Sequence, residues 1–172
     1  LRERVFVFTD TSVNIEMTKD VMAEAAILAA DFATTLELNP RVAMLSFSNF
    51  GSVQHPYSRK VRQAVEVVRS RRPDLVVDGE MQADVAVVSH MIEERYPFSA
   101  VKNANVLVFP TLASANISYK LLHELGGAQT IGPILLGMGA PVHVLQAGDE
   151  VDEIVNMAAV AVMDAQGRAR AR

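Results

Sequence analysis

Residues 104–120, ANVLVFPTLASANISYK, carry the pattern that decides the fold. Asn105 to Pro110 is a short, apolar, β-prone run, and Pro110 closes it because proline donates no ladder hydrogen bond. A loop of small polar residues follows. Ile117, Leu121, Leu122 and Leu125 then recur at helical spacing until Gly126-Gly127 stops them. A strand that hands a polar loop to a helix is one unit of an α/β fold.

Working outward, the same unit recurs on both sides. Upstream, Val5 to Phe8 is β-prone, Thr9 to Ser12 reads as its loop, and Met17, Val21, Ala25, Leu28, Phe32 and Leu36 mark a long amphipathic helix. Asn39-Pro40 ends that helix. Arg41 to Phe47 is a second strand, followed by the polar turn Ser48 to Ser52. The next helix sets Val61, Ala64, Val65 and Val68 against Arg59, Lys60, Arg62 and Arg69, and ends near Pro73. Leu75 to Val77 predicts a third strand that runs into a loop at Asp78-Gly79-Glu80, and Ala83, Ala86, Val87 and Met91 mark one further helix. Downstream, Ile134 to Leu136 and Val142 to Leu145 predict two more short strands. Val151, Ile154, Val155, Ala158 and Val162 form a last helix, with Asp152 and Glu153 where its dipole favours acids. The expectation is one α/β unit over 1–172, a mostly parallel sheet with helices on both faces. The basic tail from Arg168 to Arg172 reads as a solvated terminus.

Composition narrows the function. The 172 residues carry a net charge of -4, so a nucleic-acid partner or an acidic membrane surface is not expected. No apolar run approaches the ~20 residues that a membrane span requires, and a cytoplasmic location is expected. There is no cysteine, which excludes disulfides, thiolate metal sites and a cysteine nucleophile. His55, His90, His123 and His143 lack metal-ligand spacing, so no metal site is expected. Phosphate-loop, dinucleotide and serine-hydrolase motifs are absent.

Ligands of α/β sheets gather at the carboxyl ends of strands. The loops in question are 9–14, 46–52, 78–82, 110–116 and 146–150. They are rich in Ser, Thr, Asn and Gly, residue types suited to hold phosphate or carbonyl groups. Asp10, Asp78 and Glu80 lie near strand ends, where paired carboxylates serve acid–base chemistry or, more often, cap turns. Asn116, Tyr119 and Lys120 are expected in the first turns of the helix after loop 110–116, where Lys120 is placed to meet a phosphate or simply to be solvated.

The run NVLVFPTLASANISYKLLHELGGAQTIGPILLGMGAPVHVL resembles the C-terminal half of phosphate acetyltransferases. FTDTSVN, VAMLSFSNFGS and VVDGEMQADVAV agree with that family in order and spacing. GPILLGMGAPVHVLQ followed by EIVNMAAVAVMDAQ is most similar to the phosphotransacetylase-like domain that ends large bacterial NADP-dependent malic enzymes. The resemblance implies the phosphate acetyltransferase (isocitrate/isopropylmalate dehydrogenase-like) fold, with this chain as its C-terminal half. It also implies acetyl-CoA as ligand, an oligomer that is a dimer through this domain, and a missing half that holds NADP and a divalent metal. Active members carry a Ser-Arg pair where this chain has Gln146-Ala147, and an arginine where it has Glu124, while an acidic residue is kept as Glu153. Loss of two arginines removes the groups that clamp phosphate and stabilise developing charge. The expected function is therefore a non-catalytic regulatory domain of a malic enzyme that takes acetyl-CoA as an allosteric inhibitor. The alternative is an active acetyltransferase that interconverts acetyl-CoA plus phosphate with acetyl phosphate plus CoA. The residues expected in the acetyl-CoA cleft are Ser114, Asn116, Tyr119, Lys120 and Gln146.

Overall fold

The computed structural model describes residues 4–170. The elements run β1 (Val7–Thr9), α1 (Lys19–Thr35), β2 (Arg41–Leu45), α2 (Pro56–Arg71), β3 (Val76–Met81), α3 (Ala83–Val87), α4 (Ser89–Arg95), β4 (Val106–Val108), α5 (Leu112–Glu124) and α6 (Val151–Arg170). The strands form one sheet in the order β1-β4-β2-β3, and every pairing is parallel.

Side chains alternate across this sheet, as a period of two requires. Val42, Met44, Val77, Val106 and Val108 face the core made with α1 and α2. Ala43, Leu45, Met81 and Leu107 face the opposite core, which α3, α4 and the start of α5 cover. Helices therefore lie on both faces, as expected. In α1, Ala23, Ala26, Ala29, Ala30 and Ala33 are all buried, so the helix lies close on the sheet. Thr18 caps α1, and its side chain accepts from the Val21 N–H. Asn105 pins the turn between α1 and β2. Its Oδ1 accepts from the Arg41 N–H at 2.7 Å, and its Nδ2 donates to the Asn39 carbonyl at 2.9 Å.

Three expectations need correction. Asp78-Gly79-Glu80 is not a loop, because β3 continues through it to Met81 and pairs with β2. Its polar side chains are tolerated in a strand because each finds a cation or hydroxyl partner, described below. The helix expected from Ala83 to Met91 is two helices broken at Val88, whose φ and ψ of -105° and 102° are extended. The Ala86 carbonyl there accepts from the Ala104 N–H, so a tertiary bond competes with the helical ladder. The strands expected at Ile134–Leu136 and Val142–Leu145 reduce to a single antiparallel bridge, Ile134 with His143. Pro133 and Pro141 stand immediately before those runs and Gly132, Gly137 and Gly139 lie around them, so neither run can lengthen into a ladder of consecutive N–H donors.

The C-terminal helix starts where expected, with Asp152 and Glu153 in its first turn. His143 Nε2 lies 3.4 Å from Asp164 Oδ2, which places the segment before α6 against that helix. The tail 168–172 lies outside the residues whose side chains are described. No helix among the described residues is long and apolar enough to cross a membrane.

Candidate functional site

β1 and β4 are neighbours, so their carboxyl-end loops meet. Glu16 bridges Thr111, and Asn116 Nδ2 donates to the Thr11 carbonyl at 3.3 Å. Loop 10–14 and the start of α5 therefore form one surface at the ligand end of the sheet.

Thr111 caps α5, its Oγ1 accepting from the Ser114 N–H at 3.2 Å. The helix thus begins at Leu112, earlier than the hydrophobic spacing indicates, because the cap sets the start. Asn116 consequently lies in the second turn, with Tyr119 and Lys120 in the third, rather than in the first turns. Ser114 Oγ turns back to the Thr111 carbonyl at 2.7 Å. Asn116, Tyr119 and Lys120 share one helix face by their spacing of three and four. Lys120 Nζ lies 5.3 Å from the centre of the Tyr119 ring and makes no ion pair among the described residues. Glu124, one turn further on the same face, is exposed. Gln146 is exposed on a separate turn, where its N–H donates to Asp149 Oδ2 at 2.7 Å. Ser114, Asn116, Tyr119 and Lys120 are thus gathered on α5, and Gln146 is not on that element.

The loops are less open to anions than their composition suggests. Asp10 accepts from the N–H groups of Ser12, Val13 and Asn14, each at 2.9 Å, and from Asn14 Nδ2 at 2.6 Å. Burial pushes the Asp10 carboxyl up, but these donors outweigh it and hold the group below the usual carboxylate range. The amides that would cradle a phosphate are already spent on Asp10. Loop 46–53 shows the same economy. Gly51 N donates to Glu80, Asn49 N to Ser52 Oγ and Val53 N to Ser48 Oγ.

Asp10, Asp78 and Glu80 are therefore structural carboxylates. Glu80 is wholly buried. It accepts from Arg62 Nε at 2.9 Å, Arg62 Nη2 at 3.1 Å, Ser48 Oγ at 2.8 Å and Gly51 N at 2.8 Å. Burial raises its carboxyl, yet the Arg62 guanidinium, the Gly51 amide and the Ser48 hydroxyl hold it below its ordinary value. Asp78 accepts from Arg69 Nη2 at 2.8 Å, and from Ser99 Oγ and Ala100 N at 2.9 Å. The partners Arg62, Arg69 and Ser99 are not legible as such in the sequence. They stand 18, 9 and 21 residues from the acids they serve. Among the described residues, no three His, Asp or Glu side chains are grouped to hold a metal ion.

An Asp10→Asn variant tests this accounting. An amide presents one acceptor oxygen and a donor in place of two acceptors, so at least one of these half-buried N–H groups loses its acceptor. The expected loss is about 0.5–1.5 kcal/mol of stability, read by urea unfolding at neutral pH. A variant as stable as the parent would show that loop 10–14 does not depend on Asp10.

Residues 1–162 match the family model for phosphate acetyl/butaryl transferase. The chain is 46% identical over 159 residues to an NADP-dependent malic enzyme of Escherichia coli (strain K12), covering 91% of this chain and 21% of that protein. It is 44% identical over 164 residues to a phosphate acetyltransferase of Thermoanaerobacterium thermosaccharolyticum, covering 94% of this chain and 50% of that one. A solved phosphotransacetylase from Streptococcus pyogenes superposes with a TM-score of 0.91 at 40% identity, over 96% of this chain and 50% of that one. The chain thus spans about a fifth of that malic enzyme and about half of that acetyltransferase. The parallel sheet, the helices on both faces and these matches agree, and the chain belongs to the phosphate acetyl/butaryl transferase family.

Proposed function

We propose that this chain is the C-terminal portion of a phosphotransacetylase-like domain that regulates an NADP-dependent malic enzyme. Under this reading the parent protein converts malate to pyruvate and CO2, with NADP and the divalent metal held in its malic-enzyme half. The domain binds acetyl-CoA at the α5 face as an allosteric inhibitor, does not transfer the acetyl group, and supports a homodimer. Acetyl-CoA acts only by binding one arrangement of the enzyme more tightly than another.

The observation that carries this reading is the charge on the α5 face. Lys120 makes no ion pair among the described residues and suits a phosphate, and the Tyr119 ring and the Asn116 amide stand on the same face. Glu124 follows one turn later, and Gln146-Ala147 leads into α6. One cation beside one acid does not make the paired guanidinium clamp that phosphoryl chemistry uses. Similarity to a malic enzyme over 91% of the chain supports the same reading. The second reading, an active acetyltransferase, is favoured by the 44% identity to a phosphate acetyltransferase.

Calorimetric titration of the full-length protein separates the two, with acetyl-CoA, CoA and acetyl phosphate as ligands. The expected result is saturable acetyl-CoA binding with no acetyl phosphate formed when inorganic phosphate is added. Lys120→Ala is expected to weaken binding roughly 10-fold, about 1.4 kcal/mol. Formation of acetyl phosphate would establish the transferase reading instead. Absence of binding would leave an architectural domain.

A further inference from the structure

The carboxyl end of β2 carries a surface patch that shares no residue with the α5 face. Phe47 lies two residues beyond β2, and His55 and Tyr57 stand at the start of α2. Their rings form a row. Phe47 meets His55 edge-on at 5.8 Å, and His55 stacks on Tyr57 at 5.4 Å with 16° between the planes. All three residues are exposed, Phe47 by 52% and Tyr57 by 56%. Lys60 Nζ borders the row, 5.4 Å from the centre of the Tyr57 ring. Residues 46–65 contain no Asp or Glu but hold Arg59, Lys60 and Arg62. Arg62 is spent on Glu80, whereas Arg59 and Lys60 make no ion pair among the described residues. In a chain of net charge -4 this is a local positive patch.

Hydrogen bonds hold the patch in place. Ser48 Oγ accepts from the Val53 N–H at 3.0 Å, Ser58 Oγ donates to the Val53 carbonyl at 2.8 Å, and Gln82 Nε2 donates to the Phe47 carbonyl at 2.8 Å. Rings anchored in this way give up little freedom when a ligand stacks on them. His55 Nδ1 accepts from the Tyr57 N–H at 3.2 Å, so that amide of α2 is already occupied. The cations are what remains to meet an anion, and Arg59 and Lys60 stand one helical turn from His55 and Tyr57. Exposed rings beside unpaired cations, at the ligand end of an α/β sheet, suit a flat base that carries phosphate. We propose that this patch binds a nucleoside phosphate, with the base on the ring row and the phosphate at Arg59 and Lys60. The same chemistry is offered by a free nucleotide and by the nucleotide end of acetyl-CoA. The proposal stands apart from the acetyl-CoA reading of α5, because no residue is common to the two sites.

The test is photolabelling of the full-length protein with 8-azido-ADP, mapped by mass spectrometry and competed with unlabelled ligands. Mapping separates this patch from any other nucleotide site of the parent protein. The expected result is saturable labelling within residues 47–60 that ADP suppresses. Tyr57→Ala is expected to raise the ADP concentration that halves the labelling by roughly 10-fold or more, and Tyr57→Phe to leave it unchanged, because phenylalanine keeps the ring. Ribose 5-phosphate, which lacks the base, is expected to compete roughly 10-fold less well than ADP. No labelling of residues 47–60, competition by ribose 5-phosphate equal to that by ADP, or indifference to Tyr57→Ala would each overturn the proposal. Acetyl-CoA as competitor identifies the source. Suppression as strong as that by ADP assigns the patch to the nucleotide end of acetyl-CoA, and labelling that survives saturating acetyl-CoA assigns it to a free nucleotide. Acetyl-CoA binding without labelling of the patch would sink this proposal alone, and labelling without acetyl-CoA binding would sink the regulatory reading alone.

Discussion

Arg62→Ala is expected to destabilise the fold by about 3–5 kcal/mol, more than Glu80→Gln does. The asymmetry follows from where each partner sits. The Arg62 side chain is 37% exposed, so water can take over its charge once Glu80 is neutralised, whereas Glu80 has no exposure and cannot be rescued. Removing the guanidinium leaves a buried carboxylate with only Ser48 and Gly51 as donors. The pH dependence gives the sharper signature. In the parent protein the Glu80 pKa is depressed, so its stabilisation is full above the unfolded-state value of about 4.3 and is lost as pH falls through the folded value. In Arg62→Ala, burial dominates and the folded-state pKa moves up, so that variant gains on the parent as pH falls. Urea unfolding at pH 7 and pH 4.5 is expected to show the gap between the two proteins narrowing in acid. A gap that widens would show that Arg62 does not act through the Glu80 charge.

Gly79→Ala has the other large expected effect. Gly79 has φ +146°, and a Cβ there would lie 2.6 Å from the Met44 carbonyl oxygen and 2.9 Å from Met44 Cβ. Those atoms belong to β2 and cannot swing aside as the end of a flexible side chain can. The clash falls at the Met44–Gly79 pair, immediately before the register shift between Met44 and Leu45. Relief requires parting β2 from β3 or rotating Glu80 away from Arg62. Backbone strain of this kind costs about 1–3 kcal/mol, and overpacking adds a similar amount, so the total expected is about 3–5 kcal/mol. Thermal unfolding of the variant would measure it. Gly127→Ala is the contrast, since no atom lies within 4 Å of its added Cβ. A Gly79→Ala protein no less stable than Gly127→Ala would refute the close-approach argument.

Both predictions concern β3, which the sequence shows only in part. Val76 and Val77 read as strand because they are β-branched and adjacent. Asp78, Gly79 and Glu80 read as a turn because local chemistry favours turns there, and that reading holds only when the acids have water as their partner. In the structure Arg62 and Arg69 reach down from α2, and Ser99 closes the far side, so the acids are satisfied inside the sheet. The candidate site divides in the same way. That Ser114, Asn116, Tyr119 and Lys120 share one helix is legible because one strand–loop–helix unit carries them. The contact of Asn116 with Thr11 spans 105 residues, and no local pattern encodes it.

By itself, the sequence determined the α/β alternation, the helices α1, α2 and α6, three of the four strands nearly to their ends, and the family. It could do so because helical and strand periodicities are local, and because family motifs are read in order along the chain. Tertiary structure decided the length of β3, the break at Val88, the fate of the runs at 134–136 and 142–145, and the use of the loop amides by Asp10 and Glu80. Each of these depends on whether a polar group finds its hydrogen-bond partner in water or on a distant element. Burial sets that outcome, and burial is a property of the assembled layers rather than of any one segment.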